Sequence, residues 1–338
     1  MSLQLQKFQN MTKEIQSEFL TSLKDIAPNP GMQFFGITPT SLLDHKHQLD
    51  GGMGGLEIVA EGQDYPRGDG EEDNSITYTQ KLFARSYAVT KLLRMFWRKE
   101  NGSPIKNKIQ TVPKAYNAQV SHIMADMLSH GNETTAQLDA LRQKTLYLCP
   151  DGLPLFHAQH TSKLDSTYRF SNIITAGDIT NPEFSREAVV EMMVRGANNM
   201  APITGSGSEE GALSMPIDYD TILVAPALYD EVVRELQSDK IAGSANNDTN
   251  ESLAGLKIVK WSALTKTFNG VDKSACWYMI DSTLVKESLK MLIAQPLQIA
   301  PKENNPSNGD WIYNLDAVNT LGLGAPYGIA KSEGTNVA

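Results

Sequence analysis

Cysteine is nearly absent from this chain: Cys149 and Cys276 are the only two, and they form no C-x-x-C pair. Neither a disulfide framework nor a thiolate zinc site is supported, and a reducing compartment suits the sequence. Long apolar runs are missing as well. Nowhere do 18 apolar residues follow one another, and the first 19 residues are polar and amphipathic rather than basic and then apolar, so neither a membrane span nor a secretion signal is read here. Positive charge is in deficit, with 30 Lys and Arg against 39 Asp and Glu and a net charge of −9. That balance argues against a protein whose main task is to grip nucleic acid through a basic face. Signatures of nucleophilic catalysis are missing too: there is no G-x-S-x-G elbow, and Cys149 stands near His157 and His160 without a papain-like arrangement. Thr204-Gly-Ser-Gly-Ser208 is followed by no lysine and precedes a strand, the reverse of a phosphate loop. Arg67-Gly-Asp69 reads as turn chemistry, and Glu71-Glu72 and Glu209-Glu210 read as solvated charge in polar loops.

What remains is a chain of 338 residues with 41% hydrophobic content, enough for one large or two ordinary domains with a full core. Phe8, Met11, Ile15, Phe19, Leu23 and Ile26 recur at three- and four-residue steps, predicting an amphipathic helix that ends before Pro28. The broken segment from there to Asp50 is too short for a core and is expected to lie across another surface as an arm. A long hairpin is predicted next, with arms at Leu56–Glu61 and Ser75–Val89 around a polar gap, Gly62 to Asn74. An isolated two-stranded hairpin is marginal in water, so a neighbouring copy of the same chain is the simplest cover. From Pro113 the spacing turns helical to Gly131, and a second helical run is predicted over Thr135–Leu148. Beyond it the chain reads as mixed α/β. Asn181-Pro182 is expected to cap a helix to about Asn199, and a helix is expected to begin at Pro226. Strands are expected at 221–224, 256–261 and 276–280, with strands and turns to the end.

Charge is unevenly placed along the chain. Glu57, Glu61, Asp64, Asp69, Glu71, Glu72 and Asp73 are set against Arg67 alone in residues 57–73, whereas Arg85, Lys91, Arg94, Arg98, Lys99, Lys106, Lys108 and Lys114 are set against Glu100 alone in residues 85–114. Complementary patches fix register between partners more than they add affinity. Two solvated faces that never meet are the alternative.

The segment Asp151-Gly-Leu-Pro-Leu-Phe-His-Ala-Gln-His160 admits two readings. Histidines three apart would share one face of a helix and could hold zinc, making the chain a soluble metal-dependent hydrolase using His157 and His160. A zinc protease helix would need His-Glu-x-x-His, however, and Gly152 and Pro154 favour a loop, where the histidines serve as hydrogen-bonding groups.

The same segment resembles the Asp-Gly-x-x-Leu-Phe-His-Ala-x-His signature of the Mu-like phage major head subunit family. Tyr219-Asp-Thr-Ile-Leu-Val-Ala-Pro-Ala-Leu228 is similar to that family's strand into a Pro-Pro-x-Leu helix start, with Ala225 in place of the first proline. Ala60-Glu-Gly62 followed by 75–89 is similar to the extended loop of tailed-phage major capsid proteins. Trp277-Tyr-Met-Ile-Asp281 resembles a Trp-Tyr-x-x-x-Asp step with its Asp one place early, and Gly309-Asp-Trp-Ile-Tyr313 and Gly328 are weaker matches. The resemblance spans about residues 50 to 330 and implies an α+β chain with the Hong Kong 97 phage capsid fold. In that fold residues 1–45 form an N-terminal arm and 46–85 an extension loop. Residues 86–150 and about 286–315 form a peripheral domain with a long spine helix; 151–285 and about 316–338 form an axial domain.

The function so implied is self-assembly, without catalysis or cofactor, into an icosahedral shell of hexamers and pentamers around the double-stranded DNA of a tailed bacteriophage. The virion is the implied location, reached by assembly in the host cytoplasm. Glu57, Glu61, Asp64, Glu71, Glu72 and Asp73 would meet Arg85, Arg94, Arg98 and Lys99 of a neighbour, while Gly152, Phe156, His157 and His160 would fix a structural junction between domains. The partners implied are the chain itself, a portal, decoration proteins and DNA held by non-specific contact, with no membrane. A separate scaffolding protein is expected because the numbering begins at Met1 with a short arm. No lysine lies between 51 and 80, so a lysine-to-asparagine crosslink could not start from this loop.

Overall fold

A computed structural model describes residues 13, 15–26, 29–50, 72–92, 104–139, 141–162, 169–198, 201–202, 214–237, 253, 255–265, 271–301 and 303–335. Its frame is two sheets joined by a long helix. Residues 15–24 form helix α1, and Ile15 and Phe19 are buried, as their spacing requires. Asn29 comes next, its side chain accepting the Gly31 N–H (3.0 Å) at the start of a 3-10 turn, Pro30–Gln33. Phe34 and Phe35 then enter the main core, and β1 (Gly36–Pro39) pairs in parallel with β8 (Leu289–Ile299). The segment expected to lie as an arm is therefore stitched into its own chain at 29–39, because two adjacent phenylalanines find a core there.

The strand that pairs with β3 (Glu72–Thr79) is β2 (Asp44–Asp50), with His45 opposite Tyr78 and His47 opposite Ile76. The expected arm at 56–61 lies outside the described residues. Strand β2, Asp-His-Lys-His-Gln-Leu-Asp, has no apolar alternation, which is why periodicity missed it. The expected continuous run 75–89 is two strands. At the buried Gln80 the chain leaves the β2–β3 ladder, and β4 (Lys81–Val89) joins another sheet by pairing with β10 (Trp311–Leu323), from Val89 opposite Trp311 to Lys81 opposite Asn319. Strand β10 also pairs with β8 and with the short β9 (Glu303–Asn304). Along most of its length β10 alternates buried and half-buried residues, as a one-sided sheet demands.

Helix α2 runs Pro104–Ser129, 26 residues or about 39 Å at 1.5 Å per residue. It starts earlier than expected, and Pro113 lies inside it. Burial of Ile109 beside Val89, Trp311 and Tyr313 offsets the hydrogen bond that Pro113 cannot make. The helix predicted over Thr135–Leu148 is not formed. Asp139 captures that backbone instead: its carboxylate accepts the N–H groups of Leu141 (2.8 Å) and Gln143 (2.9 Å) and the Thr145 hydroxyl (2.8 Å), closing a small loop between Gln137–Leu138 and Lys144–Thr145. Aspartate competes with helix in this way wherever local N–H groups lie within reach.

The second sheet has the order β6-β5-β7-β11: β5 (Thr221–Val224) pairs in parallel with β6 (Lys257–Lys260) and antiparallel with β7 (Trp277–Ile280), which pairs with β11 (Ile329–Ser332). Every residue of β5, β7 and β11 is buried, the pattern of strands covered on both faces. One face packs on Val120, Met124, Leu128 and Phe156; the other packs on helices α3 (Arg186–Asn198) and α4 (Pro226–Leu236). Pro226 occupies the first turn of α4, as its fixed φ favours. Asn181 does not cap α3. Its φ is +54° and its side chain accepts the Glu333 N–H, while Ser185 accepts the Ala188 N–H (3.2 Å) and starts the helix. Among the described residues no helix is long and apolar enough to cross a membrane.

Candidate functional site

The 151–160 segment is a turn and a loop, as Gly152 and Pro154 require. Leu148 bridges to Pro154, the Cys149 N–H donates to Leu153 O (2.8 Å) and the Gly152 N–H to Cys149 O (2.9 Å). Gly152 sits at φ +78°, in the left-handed region that glycine enters freely. Asp151 accepts the Leu153 N–H (3.0 Å) and faces Nδ1 of the buried His160 at 2.7 Å. Nε2 of His160 lies 3.1 Å from Leu155 O. A carbonyl oxygen only accepts, so Nε2 donates there, and Nδ1 is committed to Asp151. Burial pushes the Asp151 carboxyl up, but its hydrogen bond to His160, that ring's charge and two backbone N–H groups outweigh it and hold it below its ordinary value.

This geometry leaves neither nitrogen of His160 for a metal. Nδ1 of His157 accepts the Gln159 N–H (3.1 Å), and the two rings meet edge to face at 5.9 Å between centroids. Among the described residues no three His, Cys, Asp or Glu side chains are grouped to hold an ion. The hydrolase reading gains no support from the site.

Phe156 anchors the loop to the end of α2. Its N–H donates to Gly131 O (2.9 Å), and its ring lies so close to Gly131 that a Cβ there would stand 2.7 Å from Cδ2. Tyr278 packs on the same ring, tilted, at 5.8 Å between centroids. Asn172, which no sequence signal marked, holds the loop from below. Its Nδ2 donates to Leu155 O (2.6 Å) and Pro326 O (3.1 Å), while its Oδ1 accepts the His157 N–H (2.9 Å).

Beneath the same helix end lies a second polar cluster. The ammonium of Lys331, 2% exposed, donates to Ser129 O (2.7 Å) at the C-terminus of α2 and to Asn132 Oδ1 (3.0 Å), and it meets Glu333 at 2.5 Å. A cation there complements the negative end of the helix dipole. Lys273 approaches Glu333 from the other side at 2.7 Å. Burial raises the Glu333 carboxyl, yet the two lysines hold it down at about 2. Burial pulls the Lys331 ammonium below its ordinary value, outweighing the acidic neighbours. The visible trace of this cluster in the sequence is a lysine inside an otherwise apolar strand, Ile329-Ala-Lys331.

Of the residues expected between subunits, Glu57, Glu61, Asp64, Glu71, Arg94, Arg98 and Lys99 lie outside the described residues. Glu72 opens β3, and Arg85 is exposed on β4. Asp73 is engaged within its own chain: it accepts the Ser162 hydroxyl (2.9 Å) and the Asn74 N–H (2.7 Å), tying the start of β3 to the end of the 151–162 loop. His157 and His160 meet edge to face, whereas Gly152 turns the chain beside Asp151 and Phe156 packs on Gly131.

Three comparisons bear on this arrangement. No family model matches the sequence. No curated protein matches it. Among solved structures, a subunit from the asymmetric unit of the bacteriophage PhiM1 mature capsid superposes with a TM-score of 0.50 at 12% identity, covering 93% of this chain and 89% of that one. A subunit from the capsid of an empty GTA particle superposes with a TM-score of 0.52 at 9% identity, covering 91% of this chain and 90% of that one. The class is thereby defined by fold: this α+β chain has the Hong Kong 97 capsid fold over nearly its whole length.

Proposed function

We propose that this chain is the major capsid protein of a tailed bacteriophage, of the Mu-like head-subunit kind its 151–160 motif resembles, assembling through hexamers and pentamers into the icosahedral shell that holds double-stranded DNA. The observation that carries this reading is the fold, shared over about nine-tenths of the chain with two capsid subunits. Surfaces left open in the single chain support it. The β2–β3 ladder has no third strand among the described residues and meets the rest of its chain through Tyr78 on Leu323 O and Asp73 on Ser162. Leu42, Leu43 and Leu82 beside it are 58%, 67% and 67% exposed. An open groove of about 390 Å³ between α2 and β4/β10 is lined by Ile109, Val112, Ala115, Tyr87 and Leu315. Apolar area of this kind marks an interaction surface.

On this reading residues 46–85, 86–150 with 286–315, and 151–285 with 316–338 serve as extension loop, peripheral and axial domains, while the proposed arm, 1–45, lies against its own chain at Ile15, Phe19 and 29–39. The 151–160 loop is the junction at which the axial domain leaves the spine helix, here α2. The acidic residues Glu57, Glu61, Asp64, Glu71 and Glu72 lie against Arg85, Arg94, Arg98 and Lys99 of a neighbour, while Asp73 is held within its own chain. The chain acts without catalysis and resides in the virion, after assembly in the host cytoplasm with a scaffolding protein and a portal.

Negative-stain microscopy and sedimentation of the expressed protein, alone and with its scaffold partner, test the proposal. Closed shells at megadalton mass are expected. A stable species of a few subunits under both conditions, carrying stoichiometric zinc, refutes it. Glu71→Lys with Glu72→Lys tests the interface: shells should fail while the isolated subunit keeps its stability. Asp73→Lys belongs in a separate arm, because Asp73 also holds Ser162.

A further inference from the structure

His130 directly follows α2 and is 6% exposed, yet neither nitrogen of its ring has a hydrogen-bond partner among the described residues. Its backbone is fixed on both sides: the N–H donates to Asp126 O (2.9 Å), and the carbonyl accepts the Glu133 N–H (3.0 Å). Each of its chain neighbours carries a tie to another part of the fold. Ser129 O accepts from the Lys331 ammonium on β11 (2.7 Å), and Gly131 O accepts the Phe156 N–H from the 151–160 loop (2.9 Å). The ring therefore cannot leave its place without disturbing the joint between helix, last strand and loop. We infer that His130 is an acid-sensitive latch at this joint, closed while the imidazole is neutral and opened when the ring takes up a proton.

Charge sets the direction. The charged groups that act on the ring are Glu133 from the same turn, Lys273 from the segment before β7, and Lys331 and Glu333 from β11 and the residue after it. Cys276 and Tyr278 border the cluster as neutral groups, since burial pushes both above their ordinary values. Two cations and two anions balance, so the cluster is neutral while the imidazole is neutral. Both lysines already share one carboxylate, with Glu333 2.5 Å from Lys331 and 2.7 Å from Lys273. A protonated ring adds a third cation to a cluster whose Lys331 is 2% exposed. A buried charge without a partner costs far more than a buried neutral ring. Burial above all holds the ring's proton affinity below its ordinary value of 6.5; the two lysines lower it further, and Glu133 and Glu333 oppose them.

A group lowered in this way contributes stability that is whole above about pH 6.5 and is lost as pH falls through the lower folded value. Release should begin at the ties on either side of residue 130, freeing β11 and the 151–160 loop from the end of α2. The latch belongs to the single subunit and stands whether or not the chain assembles.

Hydrogen exchange of the full chain at about pH 7.5 and about pH 5.5, corrected for the intrinsic effect of pH, is the test. The Lys331 N–H, bonded to Asn172 O, and the Phe156 N–H, bonded to Gly131 O, report the two ties. One proton gained on opening predicts a several-fold loss of protection at the lower pH, up to about tenfold. His130→Gln keeps a polar side chain without a charge and should abolish that dependence. His47→Gln should preserve it, although His47 on β2 is also lowered by burial. Equal protection at the two pH values overturns the proposal, as does an unchanged dependence in His130→Gln or its loss in His47→Gln. Should His130→Gln fail to fold, the ring resonances of His130 in the wild-type chain decide: titration below about pH 6.5 upholds the latch, and titration at or above it overturns the latch.

Discussion

Gly131→Ala is the substitution that tests most directly how α2 is joined to the loop beneath it. Gly131 has no left-handed φ, so an alanine backbone fits, and only space decides the outcome. The added Cβ would stand 2.7 and 2.8 Å from Cδ2 and Cε2 of Phe156 and 3.1 Å from Met127 O. Phe156 cannot retreat easily: it is 2% exposed, Tyr278 flanks it, and its own N–H is bonded to Gly131 O. Overpacking of this kind costs about 1–3 kcal/mol. The alanine recovers about 0.4–1 kcal/mol by restricting the unfolded chain. A net loss of about 1.3 kcal/mol, the difference of the two mid-range values, is expected, read as a lower denaturant midpoint of the unassembled subunit at unchanged slope. Phe156→Leu removes the ring that clashes. The double variant should therefore fall short of the summed losses by about 1 kcal/mol, within the usual range for residues in contact. A Gly131→Ala subunit as stable as the parent, or strict additivity in the double variant, would refute the packing argument.

The same site sets several other outcomes. Asp151 is held below its ordinary carboxylate value, so its contribution is present above about pH 4 and drains away as pH falls through the lower folded value. Asp151→Asn should flatten that acid limb of a midpoint-against-pH series, and an unchanged limb would sink the assignment. Asp151→Ala leaves buried His160 without its partner and should cost about 3 kcal/mol in the same unfolding assay. Asn172→Ala strands Leu155 O, Pro326 O and the His157 N–H, and should cost about 2–3 kcal/mol; a loss under about 0.5 kcal/mol would show that the three bonds are dispensable. Shells heated in detergent should run as single subunits, since the 51–80 stretch offers no lysine for a covalent ladder. Higher bands at multiples of 37.1 kDa would contradict that.

Elements whose cause is local were legible in the residues alone. Ile15 and Phe19 at helical spacing made α1, Pro226 started α4, apolar runs at 221–224 and 277–280 made the central strands, and Gly152 with Pro154 ruled out a helix at 151–160. The resemblance carried by that last segment pointed to the capsid fold, and shape agreed where no family model did. Tertiary structure decided whatever depended on distant partners. Strand β2 is polar and exists because β3 pairs with it. Helix α2 passes through Pro113 because Ile109 is buried against β4 and β10. Thr135–Leu148 lost its helix to the carboxylate of Asp139. Lys331 and Asn132 are 199 positions apart, and no spacing rule relates them. They meet because β11 closes the sheet under the last turn of α2, where unpaired helix carbonyls draw in a cation.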